Sequence, residues 1–118
     1  MVSAPRAEFI AGVSHKPGIG HALVIGRGGT DVEELKDFTT LLLPASAVQI
    51  EDALRRLSLT RKLRLGQHDI GSLVQVVSQI AQFTTQYRDR LVELDVNPII
   101  LDATGTCTAV DALVRMRT

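Results

Sequence analysis

The chain has 118 residues, is 45% hydrophobic and 22% charged, and carries 13 Lys plus Arg against 13 Asp plus Glu. That balance suits one packed domain and excludes both a disordered tail and an overall charge that would gather nucleic acid or acidic lipid. Three Phe, one Tyr and no Trp exclude extended base-stacking platforms, and the single Cys excludes an internal disulfide or a cysteine-based zinc site.

In chain order, MVSAPRAEFIAGV has no apolar core of signal-peptide length and no window reaches membrane-spanning length. The chain is therefore expected to be cytoplasmic, with residues 1–6 a disordered or expression-derived start. AEFIAGV and HALVIG, bounded by HKPGIG and GRGG, predict strands with glycine-punctuated turns, and Leu41 to Leu43 before Pro44 ends a further extended segment. Ser46 with Gln49 forms a capping-box pattern ahead of Ile50, Ala53, Leu54 and Leu57, which predicts a helix over about 46–59. After the basic link RKLRLGQH, Asp69 is placed to cap a second helix whose stripe is Ile70, Leu73, Val74, Val77, Ile80 and Ala81, widened by Val76 and Phe83. Strand composition returns from Leu91, and Cys107, flanked by Thr106 and Thr108, reads as a small apolar filler in a strand rather than a nucleophile. The expected architecture is α+β: a mostly antiparallel sheet with two main helices packed on it, in one domain over 1–118.

The chemistry-bearing stretch is VELDVNP. A period of two places Val92, Leu94 and Val96 on one face and Glu93, Asp95 and Asn97 on the other. Ala103-Thr104-Gly105 fits a three-residue hairpin with glycine at its left-handed position, which pairs Asp102 with Thr106. Counting back from that turn sets Asn97 opposite Asp111, and directly opposed residues have Cβ atoms about 4.5–5.5 Å apart. Asp95 lies one pleat along. Oxygen donors without His or Cys favour a hard cation, and a partial set suits Mg²⁺, which keeps waters and takes phosphate oxygens. The alternative is a solvated strand face that happens to be acidic.

Glu93-Leu94-Asp95-Val96-Asn97-Pro98-Ile99, followed by Ala109-Val110-Asp111-Ala112, resembles the closing hairpin of the ATP-grasp domain in ADP-forming acyl-CoA synthetases. A less similar form, L-E-I-N-P-L then L-D-G, occurs in the related succinyl-CoA synthetase beta subunit. Upstream, Ala7-Glu8-Phe9-Ile10-Ala11-Gly12-Val13 is similar to that family's G-x-E-x-x-x-G-V strand, and Gly26-Arg27-Gly28-Gly29 with Val32-Glu33 to its G-L-G-G-x-x-V-E turn. The resemblance implies the carboxy-terminal lobe of an ATP-grasp fold, with Asn97 and Asp111 as ligands of the Mg²⁺ that bridges ATP phosphates and Asp95 beside them. Glu33 and Glu8 occupy matched positions and either face the cleft in support of the metal or nucleotide, or are ordinary exposed acids. The implied reaction converts ATP, a carboxylic acid and CoA into acyl-CoA, ADP and phosphate through a phosphohistidine on another domain.

The implied partners are an amino-terminal ATP-grasp lobe and a CoA-binding domain, neither of which has a counterpart here, so no catalytic residue is assigned within this stretch. An uncovered lobe interface predicts an apolar patch and self-association. The chain departs from the family where D-P-x-F-G-P appears as Lys16-Pro17-Gly18-Ile19-Gly20-His21 and G-y-R-G as Gly66-Gln67-His68-Asp69. These departures open a second reading, a degenerate lobe serving as a nucleotide-sensing or interaction module in a larger regulatory protein such as an acetyltransferase fusion.

His15, His21 and His68 read as exposed turn histidines, without carboxylate partners at recognisable spacing. The glycines fit no dinucleotide or P-loop fingerprint, since Asp31 stands where the third glycine belongs and no GK[ST] follows. GRGG could still lend backbone N–H groups to a phosphate. Arg55, Arg56, Arg61, Lys62 and Arg64 form a basic run at a helix end, read as a solvated face.

Overall fold

A computed structural model describes residues 5–29 and 36–118. Its six strands are β1 (Pro5–Lys16), β2 (Gly20–Arg27), β3 (Phe38–Leu43), β4 (Leu91–Asp102), β5 (Cys107–Ala109) and β6 (Ala112–Met116). Three helices intervene: α1 (Ala47–Arg55), α2 (Ser58–Lys62) and α3 (Gln67–Gln86). All strand pairs are antiparallel, in the order β3-β2-β1-β4-β5, with β6 also on β4. The expected α+β class and sheet hold.

Alternation divides the sheet into two unlike faces. Ala7, Phe9, Ala11 and Val13 of β1 and Leu23 and Ile25 of β2 are buried on the inner face. They form one core with Leu94, Val96, Ile99 and Leu101 of β4 and, from the helical layer, Ile50, Leu54, Leu57, Ile70, Leu73 and Val77. The outer face carries Glu8, Ile10, Gly12 and Ser14 of β1 and Asp95 of β4, since Gly12 pairs with Asp95 and Ser14 with Glu93. Phe38 and Leu42 on β3 and Leu113 on β6, at opposite sides of the sheet, leave apolar side chains 57%, 61% and 69% exposed on that face.

Four local expectations are corrected. Pro5 and Arg6, expected in a disordered start, belong to β1, and Arg6 donates to the Asp69 carboxylate at 2.8 Å. The single helix expected over 46–59 is two. Leu57 adopts an extended conformation with its side chain fully buried, and the Asp37 carboxylate accepts from the N–H groups of Ser58 at 2.7 Å and Leu59 at 2.9 Å, giving α2 its own start. Asp69 is not the cap of α3: Gly66 holds that position, and Asp69, in the first turn, accepts from the Gly66 N–H. Finally, His21 is buried rather than turn-exposed, its Nε2 hydrogen-bonded to the Leu91 carbonyl at 2.7 Å. The Ser46 capping box is present as expected, with both reciprocal bonds formed.

The β4–β5 turn has the expected length. The Asp102 N–H donates to Thr106 O and the Gly105 N–H to Asp102 O, both at 3.0 Å, and Gly105 has φ +85°. The register that follows pairs Leu101 with Cys107 and Ile99 with Ala109.

Candidate functional site

Beyond that turn the register runs on unchanged to Val96 opposite Ala112, Asp95 opposite Leu113 and Glu93 opposite Arg115. Between the β5 and β6 pairings, each strand carries two residues, Asn97–Pro98 and Val110–Asp111. The Asn97 N–H donates to Asp111 O at 3.2 Å and the Val110 N–H to Pro98 O at 2.9 Å, so Asn97 and Asp111 stand opposite one another. On its other edge β4 has one residue more than β1 here, because Phe9 faces Ile99 while Ala11 faces Val96. Proline has no ladder N–H to lose, so Pro98 is at home in this bulge. The bulge shifts the alternation by one and lets Leu94 and Val96 on one side, and Ile99 and Leu101 on the other, all face the core.

The outer face holds a groove of about 490 Å³ lined by Gly12, Ser14, Val24, Glu93, Asp95 and Asn97 among others. Asp111 stands outside its lining, exposed, with Oδ1 accepting from the Ala112 N–H at 2.9 Å. Burial pushes the Asp95 carboxyl above the usual carboxylate range, and the neighbouring Glu93 adds to the effect. Glu93 moves the other way, held low first by its hydrogen bond from Arg115, whose Nη2 donates to Oε2 at 2.9 Å. A Cβ on Gly12 would stand 3.1 Å from Asp95 Oδ1.

The remaining candidates separate. Glu8 shares the outer face and pairs with Ile100, but borders a second groove of about 340 Å³ beside Arg6, Arg27, Gly28 and Gly29. Glu33 lies outside the described residues. In GRGG, the Gly28 N–H donates to Glu8 O and the Arg27 N–H to Asp37 O, so these two donors already serve the sheet and its flank. His15 and His21 lie with Thr84, Arg88 and Asp89 around a cavity of about 420 Å³, apart from the groove. Cys107 is half-buried, and burial, then the Asp102 charge, raises its thiol to about 11, which keeps it neutral as a filler. Arg55 and Arg56 make exposed pairs with Glu51 and Asp52 one turn earlier, consistent with a solvated face.

Among the described residues no three His, Cys, Asp or Glu side chains converge on one point. What the hairpin offers is an amide and two carboxylates, hard donors open to solvent. Oxygen donors of this kind suit a hard cation such as Mg²⁺ better than zinc or copper. Counting the hairpin register from the sequence locates Asn97 and Asp111. The same count pairs Glu93 with Arg115, a contact that a search confined to acids and amides passes over. Among the described residues no helix is long and apolar enough to cross a membrane.

The ATP-grasp domain model matches residues 1–116. The chain is 31% identical over 103 residues to a 4-hydroxybutyrate–CoA ligase (ADP-forming) of Nitrosopumilus maritimus, covering 83% of this chain and 14% of that protein. It is 28% identical to the beta subunit of an acetate–CoA ligase (ADP-forming) II of Pyrococcus furiosus, covering 96% of this chain and 50% of that subunit. The chain thus spans half or less of the length of these curated relatives. A Pyrococcus horikoshii crystal structure superposes with TM-score 0.86 at 27% identity, over 99% of this chain and 51% of its own. A Korarchaeum cryptofilum acetyl-coenzyme A synthetase, solved with coenzyme A and Mg-AMPPCP, shares the fold at TM-score 0.81 and 22% identity, over 98% of this chain and 55% of its own.

Proposed function

Because the chain belongs to the ATP-grasp family, as found in ADP-forming acyl-CoA synthetase-like proteins, we propose that it is the Mg-ATP-binding lobe of such an enzyme, incomplete without a second lobe and a CoA-binding domain. The observation that carries this reading is the opposed pair Asn97 and Asp111 at the edge of a groove on the sheet face away from the described helices, with Asp95 inside the groove. Asn97 offers an amide oxygen and Asp111 a carboxylate to the metal, and Asp95 adds a second carboxylate beside them. Bound Mg²⁺ neutralises phosphate charge and aligns the transferring group, which is most of what a protein supplies to phosphoryl transfer. The residues of this chain hold and orient; Val24 and Ile10 supply an apolar wall to the groove. The parent reaction in this reading joins a carboxylic acid to CoA at the expense of ATP, by way of a phosphohistidine carried on another domain.

The second reading is a non-catalytic lobe in a regulatory protein, suggested by the departures at Lys16, Ile19, His21 and His68. Two of them have structural accounts. His21 ties β2 to the start of β4 through Leu91, and His68 packs against the β4–β5 turn beside Gly105. Substitutions that serve packing do not require loss of activity, which supports the enzymatic reading.

The test is Mg²⁺-dependent ATP binding and turnover by the parent protein, comparing wild type with Asn97→Ala and Asp111→Ala. A loss of roughly tenfold or more in metal-dependent affinity is expected for each. Unchanged affinity and turnover in both would sink the site. The 118-residue chain alone is expected to bind ATP weakly, and submicromolar affinity by calorimetry would contradict the half-cleft reading.

A further inference from the structure

We propose that Gly12 and Arg115 are positioning residues that together hold the Asp95 carboxylate in the groove beside Asn97. The inference rests on the metal-site reading above for its purpose, but its geometry stands without a metal.

Gly12 lies mid-strand in β1, where glycine weakens a strand and often marks a place where another group approaches closely. Its backbone does not call for glycine, since Gly12 is not among the residues of positive φ. The space does. Asp95 is its direct partner across the β1–β4 ladder, and a methyl group at position 12 would stand 3.1 Å from Asp95 Oδ1, with only Leu94 O also within reach, at 4.0 Å. Glycine here leaves room for the Asp95 carboxylate to lean back over β1 while it stays open to solvent.

Arg115 acts from the other side. Glu93 and Asp95 are two apart on β4 and share a face, so their carboxylates meet and would repel. Arg115, opposite Glu93 in the β4–β6 register, donates to Glu93 Oε2 at 2.9 Å and takes up one of the two charges. That pair is exposed, 66% and 42% at the side chains, and exposed ion pairs add little to stability. Its consequence is local: the Arg115 guanidinium offsets the Glu93 charge that lies beside Asp95.

The test begins on the metal-free 118-residue chain, following the Asp95 side-chain carboxyl carbon by NMR in wild type, Gly12→Ala, Arg115→Gln and Arg115→Lys. The Asp95 resonance is expected to move in Gly12→Ala and Arg115→Gln and to return in Arg115→Lys, while amide signals far from the groove stay put. Titration with Mn²⁺ as the probe ion should then broaden Asn97 and Asp111 signals in wild type. The apparent affinity should be roughly tenfold weaker in Gly12→Ala and Arg115→Gln, as for other residues that orient metal ligands, and restored in Arg115→Lys. If Gly12→Ala acts through Asp95, Gly12→Ala combined with Asp95→Ala should match Asp95→Ala alone, which separates positioning from general disturbance of the strand. Wild-type Asp95 resonances and Mn²⁺ affinity in both Gly12→Ala and Arg115→Gln would overturn the proposal. Broadening that never centres on Asn97 and Asp111 in wild type would instead remove the metal-site reading, with the metal-free shifts still deciding the positioning.

Discussion

Asp102 shows how one carboxylate fixes the frame on which the candidate site is built. Its Oδ1 accepts from the Thr104 hydroxyl, and from the N–H groups of Thr104 at 2.9 Å and Thr106 at 3.1 Å, closing the β4–β5 turn. The Thr104 hydroxyl bond, with the turn's N–H groups behind it, lowers the Asp102 carboxyl below its ordinary value of 3.8. The unfolded chain therefore binds this proton more readily than the folded one, so stability rises with pH across the interval between the two values. The contribution is fully present above about pH 4 and is lost as pH falls through the lower, folded value. Urea unfolding of wild type and Asp102→Asn should diverge above about pH 4, with Asn the weaker, and draw together as pH falls through the lower, folded value; curves parallel throughout would remove Asp102 from the turn's energetics. At this scale the register was legible because it depends on counting: one glycine at the third turn position sets every later pair, down to Glu93 with Arg115. The contact of Asp95 with Gly12 was not legible, because it joins strands that are 83 positions apart in sequence, a pairing that periodicity within either strand cannot specify.

Among the elements, the helices show the limits of local pattern. The stripe of α3 was readable because Ile70, Leu73, Val77, Ile80 and Ala81 keep a helical period over a long segment. The break between α1 and α2 was not, since Leu57 continues the apolar spacing of α1 and the acceptor that starts α2, Asp37, lies 21 and 22 residues before its donors. The strands and their hairpin were readable from turn chemistry. The hairpin also docks: a Cβ on Gly105 would stand 2.5 Å from His68 Cδ2 and 3.0 Å from Asp69 Oδ1, so the turn rests on the first turn of α3. Gly105→Ala should cost about 1–2 kcal/mol from its left-handed backbone alone. Thermal unfolding of Gly105→Ala with and without His68→Ala measures this, and full recovery in the double variant would show that the cost is steric rather than conformational.

At the scale of the whole molecule, the described helices pack on one face of the sheet, and among the described residues none covers the other. Phe38 and Leu42 on β3 and Leu113 on β6 add exposed apolar side chains to the face that holds the groove. In isolation that surface should find itself: sedimentation of the 118-residue chain should show a mass average rising with concentration, and Leu42→Lys with Leu113→Lys should abolish the rise. A concentration-independent monomer in wild type would show that the patch is too small or too divided to drive association.

The strand order has a further consequence, for the order of events as the chain folds. β4 joins β1, early in this sequence, to β6, late in it, and Ala7 meets Leu101 only after 93 residues of intervening chain have been gathered in. The β1–β2 hairpin and α3 need only their own neighbourhoods, but the sheet has no centre until β4 arrives. Because loop closure over such a span must be met before the pairing rewards it, the slow step should be the insertion of this one strand. On a ribosome, the same dependence would leave the β1–β2–β3 edge open to solvent until nearly the last of these residues had emerged.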